Sequence, residues 1–380
     1  MKVLFIIQGE GRGHLTQAIA LAQMLRSSGS EIVGVMVGKS EHRRIPDFFR
    51  EKIKSTVEEF ESPNILPAAK SNKVSFGASL FYNIRKLPAY AESIRFIKRR
   101  IRECEADLVV NFYEVLTGLS YALCPPGIPL VCVAHQYIFL HPDYRFPPGS
   151  RGAVFFLKLF TRLTAAGASR KLALSLRPES ATATDSSDGS DTTLKVVPPL
   201  LRKEVFGMAS HKGDYLHGYV LNPGFRRELE TWHNDHQNEK FHLFWDRPAE
   251  SGTDANFRLH PLDDQLFLQY MAGCKGFITT AGFESVCEAL YFGKPVFMVP
   301  THIEQRCNAF DANAFGAGIY SDRFDLEGFS EFTSHYTANP SFRTWVERAR
   351  GIILHEIHAA CEEHREKPFR RGRIPFPRLS

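Results

Sequence analysis

Between Gly276 and Asn308 the chain sets out side chains suited to gripping a phosphate ester. The apolar run Gly276–Thr279 ends in Thr280-Ala281-Gly282, and Phe283-Glu284-Ser285-Val286-Cys287-Glu288-Ala289-Leu290 then follows at helical spacing. Gly282 permits a sharp turn from strand to helix. A helix opening near Glu284 and Ser285 offers unpaired N–H groups and a hydroxyl to a diphosphate, which makes Ser285 a candidate phosphate ligand. Glu288 lies three residues beyond Ser285 on the same helix face, with an ordinary solvated position as the alternative. A second glycine cluster, Gly9-Glu10-Gly11-Arg12-Gly13-His14, follows the run Val3–Ile7 and precedes Ala18, Ile19, Leu21, Ala22 and Leu25 at helical spacing. It departs from the dinucleotide fingerprint, because its glycines alternate and His14 stands where the third glycine belongs. A nicotinamide cofactor is therefore disfavoured, although Gly11, Arg12 and Gly13 can still turn backbone N–H groups toward an anion. His14 is either a general base for a substrate hydroxyl or a cap on its own helix.

The elements that must hold these residues alternate along the chain. Apolar strands at Ile32–Val37, Asp107–Phe112, Leu130–Ala134, Lys171–Leu176 and Leu194–Val197 are interleaved with helices at Ala91–Cys104, Leu116–Cys124 and 153–167. A second series adds strands at Tyr215–Leu221, Phe241–Trp245, Gly276–Thr279 and Val296–Val299, with helices at Phe225–His233, Leu262–Met271 and Glu284–Tyr291. The fold class expected is α/β, two Rossmann-like, doubly wound domains facing across a cleft that holds the ligand. Pro198-Pro199 marks the hinge. The expected domains are 1–197 and 198–341, with a final helix near 342–363 packing back on the first and a basic Pro/Arg-rich tail at 364–380. The Ser/Thr/Asp-rich stretch Glu179–Thr193 reads as an exposed loop.

Composition limits the alternatives. At 380 residues, with 43% hydrophobic and 23% charged residues, the chain is too long for one compact core and ordinary for a globular protein. The net charge of +5 is matched by the segment from Arg365 to Ser380, which carries six basic residues against Glu366. The body is thus neutral, which disfavours a nucleic-acid partner. Seven widely spaced cysteines without a CxxC pair indicate neither a disulfide framework nor a zinc ribbon. The apolar start is too short for a signal peptide, so a cytoplasmic location is expected. His233 with His236 and His355 with His358 lack converging partners, so no metal site is expected.

The stretch from Gly276 to Pro295, running on through Val299-Pro300 and Glu304-Gln305-Arg306-Cys307-Asn308-Ala309, resembles the nucleotide-sugar signature of the UDP-glycosyltransferases with the GT-B fold. That superfamily includes the peptidoglycan-precursor N-acetylglucosaminyltransferase, and the whole chain is similar to the bacterial family 1-type glycosyltransferases. The resemblance implies an inverting, metal-independent transfer of a sugar from a UDP-sugar to an acceptor hydroxyl, with no cofactor beyond that co-substrate. It assigns Gly282, Glu284 and Ser285 to the diphosphate, Glu288 to the ribose hydroxyls and Glu304-Gln305 to the sugar. Thr280 stands where plant members carry a histidine near the phosphates. Asn222, in Asn222-Pro223-Gly224, matches another phosphate-facing turn or is a plain turn, and His260 falls in the loop that holds uracil in relatives. His14 matches the catalytic base, and Glu114 is the candidate to orient it, since Asn111-Phe112 lacks the aspartate common at Phe112. His135 and Gln136 lie where relatives build acceptor pockets.

Two rival functions share the scaffold, a UDP-sugar 2-epimerase and a non-catalytic nucleotide-sugar-binding protein. The acceptor is lipid-linked, polysaccharide or a small molecule. The stretch Ala153–Phe160 is either core-packing or a membrane-surface helix suited, with Arg162 and the basic tail, to peripheral association with a lipid-linked acceptor.

Overall fold

A computed structural model describes residues 1–41, 43–63, 83–178, 191–220, 223–245 and 255–366. Asn222, most of the Ser/Thr/Asp-rich stretch and the tail beyond Glu366 lie outside the described residues. The chain divides into two units: Met1–Tyr144, Gly152–Leu200 and Glu347–Ser380 form the first, and Arg145–Arg151 with Leu201–Val346 form the second.

In the first unit, β1 (Lys2–Gln8), β2 (Glu31–Lys39), β3 (Val57–Glu61), β4 (Leu108–Phe112), β5 (Leu130–Ala134), β6 (Arg170–Leu174) and β7 (Leu194–Val197) form one sheet. Its order is β3-β2-β1-β4-β5-β6-β7, and every pairing is parallel. In the second, β8 (Tyr215–Tyr219), β9 (Lys240–Trp245), β10 (Phe257–Pro261), β11 (Gly276–Thr279), β12 (Val296–Met298) and β13 (Gly318–Tyr320) run in the order β10-β9-β8-β11-β12-β13, again all parallel. The α/β class holds in both units. The central strands are mostly apolar because helices cover both faces; β4 and β5 are buried at every residue.

Three strands escaped the sequence pattern, and all are sheet edges. β3 reads Val-Glu-Glu-Phe-Glu, β10 takes in Leu259-His260-Pro261, expected as a loop, and β13 spans three residues. An edge strand has one neighbour and a partly wet face, so its sequence need not be apolar. The single helix expected at 342–363 is two, Pro340–Glu347 and Ala349–Glu366, separated by Arg348. The second packs on β6, β7 and helix Arg12–Ser27, where Arg170 pairs with Glu356 at 3.2 Å and with Glu363.

Helix Arg151–Thr164 corrects the core-packing expectation for Ala153–Phe160. Its inward residues are Thr161 and Thr164, while Phe155, Phe156, Leu159 and Leu163 are 59%, 60%, 36% and 37% exposed. Besides the ring of Phe160 against Tyr113, the helix docks by hydrogen bonds: Thr161 Oγ1 meets Tyr113 Oη at 2.7 Å, and the Thr164 carbonyl accepts from Asn111 Nδ2 at 2.8 Å. Gly118 lets the neighbouring helix approach, since a Cβ there would lie 2.0 Å from the Leu163 carbonyl.

Candidate functional site

A doubly wound sheet leaves a crevice where strand order reverses, beyond the carboxyl ends of the two central strands. The reversals fall between β1 and β4 in the first unit and between β8 and β11 in the second. Each predicted loop therefore opens at a reversal. The Gly9–His14 loop follows β1, Tyr113-Glu114 follows β4, and Thr280-Ala281-Gly282 follows β11.

In the second unit, helix Phe283–Tyr291 is capped by Gly282, which has no side chain to bond its first N–H groups. Those donors and the positive end of the helix dipole make an anion seat. The sharp turn is not made by Gly282, whose φ is −65°, but by Ala281, which holds φ 65°. That conformation is costly for a residue with a Cβ and persists where its surroundings fix it. Asn308 Nδ2 supplies that restraint by donating to the Ala281 carbonyl at 3.1 Å. Gln305 adds a second, donating from Nε2 to Thr280 Oγ1 at 3.1 Å while its Oε1 accepts from the backbone and hydroxyl of Thr301 at 2.9 and 2.7 Å. Thr280 and Gln305 are thus brought together, as supports of the turn. Among the described residues a Cβ at Gly282 would meet only Ser285 Oγ, at an ordinary 3.5 Å.

Ser285 lies in the first turn, donating to the Gly282 carbonyl at 3.0 Å with Thr279 Oγ1 at 3.4 Å. Glu284 is half-buried beside it, and Glu304 is half-buried in the first turn of helix Ile303–Ala314. Glu288 is buried: Arg202 Nε and Nη2 each reach one of its oxygens at 2.6 Å. His260 sits near the end of edge strand β10, with Nε2 2.9 Å from His242 Nδ1 and its ring near Phe244 and Tyr270. Burial lowers the pKa of His260, and that of His242 to about 4, so both are neutral near pH 7.

In the first unit, helix Arg12–Ser27 also begins at a glycine, Gly11, with no side-chain cap, and a Cβ at Gly11 would meet nothing. Gly9 N donates to the Gly38 carbonyl at 2.7 Å and Glu10 accepts from Ser40 N at 2.6 Å, tying the loop to β2. Arg12 is exposed and Gly13 half-buried at its mouth. His14 does not cap the helix. It is 7% exposed, its Nδ1 lies 3.3 Å from Gln17 Oε1, and its ring stacks on Tyr113 with centroids 5.5 Å apart. Burial lowers its pKa to about 4. Since a carbonyl oxygen only accepts, this pairing keeps the proton on Nδ1 and leaves the Nε2 lone pair.

Glu114 corrects the sequence reading. Its carboxylate does not orient His14; it caps helix Val115–Leu123, accepting from Thr117 N at 2.8 Å, Thr117 Oγ1 at 3.0 Å and Ser62 Oγ at 2.5 Å. Burial raises its pKa, against those hydrogen bonds. Phe112, where an aspartate was sought, is packed against Phe5. Tyr113 takes φ 61°, the counterpart of Ala281, held by Thr161 and by rings of Tyr137 and Phe160. His135 and Gln136 are buried in a 3₁₀ turn after β5, with His135 Nδ1 2.8 Å from the Leu174 carbonyl, and so face inward. Sequence reasoning missed Gln17, Tyr113 and Arg202. Gln17 carried a usable signal, one turn from His14 on the same helix face; Arg202 carried none.

A model described as glycosyl transferase family 1 matches residues 1–336. Over 92 residues, 23% of this chain, the sequence is 29% identical to a Caenorhabditis elegans protein named as a UDP-glucuronosyltransferase; the match spans 18% of that relative's length. Among solved structures, the fold is similar to LpCGTa in complex with UDP (TM-score 0.60, 16% identity, 96% of this chain and 99% of that one). It is also similar to the glycotransferase of kitacinnamycin (TM-score 0.57, 15% identity, 97% and 99%). A third, VinC in complex with dTDP, aligns with TM-score 0.52 at 14% identity over 96% and 100%. With two parallel α/β units of this kind and a family match running from the first glycine loop past the second, the chain belongs to glycosyl transferase family 1.

Proposed function

We propose that this protein transfers a sugar from a UDP-sugar to an acceptor hydroxyl, with inversion at the anomeric carbon and no metal in the mechanism. The carrying observation is that helix Phe283–Tyr291 is capped by Gly282, which brings no side chain of its own, and that among the described residues a Cβ there would meet only Ser285 Oγ. An anion fits there, and a leaving diphosphate is the anion this chemistry produces. In the proposed reaction the acceptor hydroxyl gives its proton to His14 Nε2 as its oxygen bonds to the anomeric carbon. The bond from that carbon to the phosphate oxygen breaks, and its electron pair leaves with UDP, whose new charge the helix N–H groups stabilise. His14 is suited by being neutral at pH 7 and by its tautomer, set by Gln17. Gln17 takes the orienting place expected of Glu114. A histidine base without a carboxylate behind it fits an acceptor hydroxyl already polarised or held close.

The test is calorimetric titration with UDP. Micromolar binding that Ser285→Ala weakens by about tenfold, the worth of a hydrogen bond to a charged group, supports the reading; no UDP binding, or binding indifferent to Ser285→Ala, sinks it.

The acceptor reading we favour is lipid-linked. The outward face of helix Arg151–Thr164 carries Phe155, Phe156, Leu159 and Leu163 together with exposed Arg151 and Arg162, an apolar stripe with basic flanks suited to an anionic lipid surface. No described helix is long and apolar enough to cross a membrane. Sedimentation with vesicles containing anionic phospholipid, lost in Phe155→Ser/Leu159→Ser, supports this seat; equal recovery with and without vesicles removes it.

A further inference from the structure

Tyr113 directly follows β4, and its ring lies nearly parallel to that of His14, with 25° between the planes and 5.5 Å between centroids. Its other neighbours come from more distant parts of the unit. The rings of Tyr137 and Phe160 meet it edge-on at 5.7 and 5.6 Å, and Thr161 Oγ1 lies 2.7 Å from its hydroxyl. The direction of that last bond is fixed, because Thr161 has one hydroxyl proton and donates it to the Leu157 carbonyl at 2.8 Å, where the oxygen can only accept. Tyr113 is therefore the donor to Thr161. Tyr137 reaches the same turn of the helix, its Oη 3.2 Å from Thr164 Oγ1. The partner that His14 stacks on is thus hung from the last turn of helix Arg151–Thr164, 48 residues further along the chain.

We propose that Tyr113 is a positioning residue for His14: anchored through Thr161 to helix Arg151–Thr164, its ring holds the plane of the imidazole and keeps water from that face. This rests on the base reading above. Among the described residues the polar partner of the imidazole is Gln17, at 3.3 Å. One long hydrogen bond leaves the ring free to tilt, whereas a stacked aromatic face fixes its plane and with it the direction of the Nε2 lone pair. The face itself must be rigid to do this. A left-handed backbone is unfavourable at a bulky residue and persists only where its surroundings fix it, which here the Thr161 bond and the rings of Tyr137 and Phe160 do. Both Tyr113 and His14 are buried, and it is burial, against the Gln17 bond, that lowers the pKa of His14 to about 4. Losing the ring therefore acts by admitting water to the imidazole.

The experiment is an NMR titration of the histidine imidazoles in the full chain labelled with nitrogen-15, with the His14 signals identified by their absence in His14→Ala. Tyr113→Leu, which removes the ring, is expected to raise the His14 midpoint toward the ordinary 6.5 by about one pH unit or more. Tyr113→Phe and Thr161→Val, which break the same bond from its two ends and leave the ring in place, are expected to raise it by a smaller, equal amount, and the double variant by no more than either, because one interaction is lost in all three. Thr161→Ser, which keeps the hydroxyl, restores the midpoint of the unmodified protein. An unmoved midpoint in Tyr113→Phe and Thr161→Val, shifts that add in the double variant, or a Thr161→Ser shift equal to that of Thr161→Val overturns the proposal. Failure of the base reading is separate and shows as undiminished turnover in His14→Ala.

Discussion

The reversal points of the two sheets share a plan and differ in what they leave open. Each lies past a central strand, each holds a non-glycine residue in the left-handed region, Tyr113 at φ 61° and Ala281 at φ 65°, and each sits beside a helix whose cap is a glycine with no side-chain bond. In the first unit the polar groups then turn inward. Asn111, Glu114, Thr161, Thr164 and Tyr113 satisfy one another, and His14 is pressed against Tyr113 in a dry setting. In the second, Gln305 and Asn308 secure the turn from behind, and Glu284 and Ser285 stay half-exposed. In the proposed reaction the first arrangement serves the proton acceptor and the second the ligand's charge, so that chemistry and binding would fall to different units.

The largest effect should come from separating those roles. His14→Ala should lower kcat by about 10²–10⁴-fold, the range for a lost general base, with UDP affinity unchanged by calorimetry; full turnover in that variant would break the division. Next is the strained tyrosine. Tyr113→Gly relieves its backbone but deletes the ring packed on His14, Tyr137 and Phe160 and the bond to Thr161, and should cost about 3 kcal/mol in urea unfolding.

Acid should act on both units, through one buried histidine in each. His14 and His217, a fully buried β8 residue whose Nδ1 lies 3.0 Å from the His242 carbonyl, have pKa values lowered by burial to about 4 and about 3. Both values lie below the ordinary 6.5, so between them and pH 6.5 the unfolded chain binds more protons than the native one. Stability is then full above about pH 6.5 and falls as pH drops, by up to about 1.4 kcal/mol per pH unit for each histidine. Unfolding curves from pH 7 to 5 measure this, and a flat profile would contradict both burials. The smallest effect is Ala281→Gly, which removes strain with little side chain lost and should raise stability by about 0.5–1 kcal/mol. Destabilisation instead would show that Asn308 and Gln305 do more than hold a strained turn.

Much of this was legible in the residues. The apolar strands and the two glycine-started helices follow from periodicity, because a strand covered on both faces must be apolar throughout and a helix capped by glycine advertises its start. Three of the four edge strands were not, since β3, with three glutamates in five residues, has no reason to look like core; the fourth, β7, is apolar enough to be read. Gly282 was marked as the sharp turn into the helix, but it is only the cap, and the left-handed residue that makes the turn is its neighbour Ala281, which no propensity singles out.

The sequence by itself determined the α/β alternation, the placing of Ser285 in a first helical turn and the candidacy of His14, because each depends on neighbours within a few positions. Only the tertiary structure decided who meets whom across the chain. It gave Glu114 to Ser62 and Thr117 rather than to His14, put Thr161 inside and Phe155 outside, and closed Arg202 over Glu288, 86 residues away. Such pairings are fixed by strand order and by competition for buried hydrogen bonds, and neither is written in local spacing.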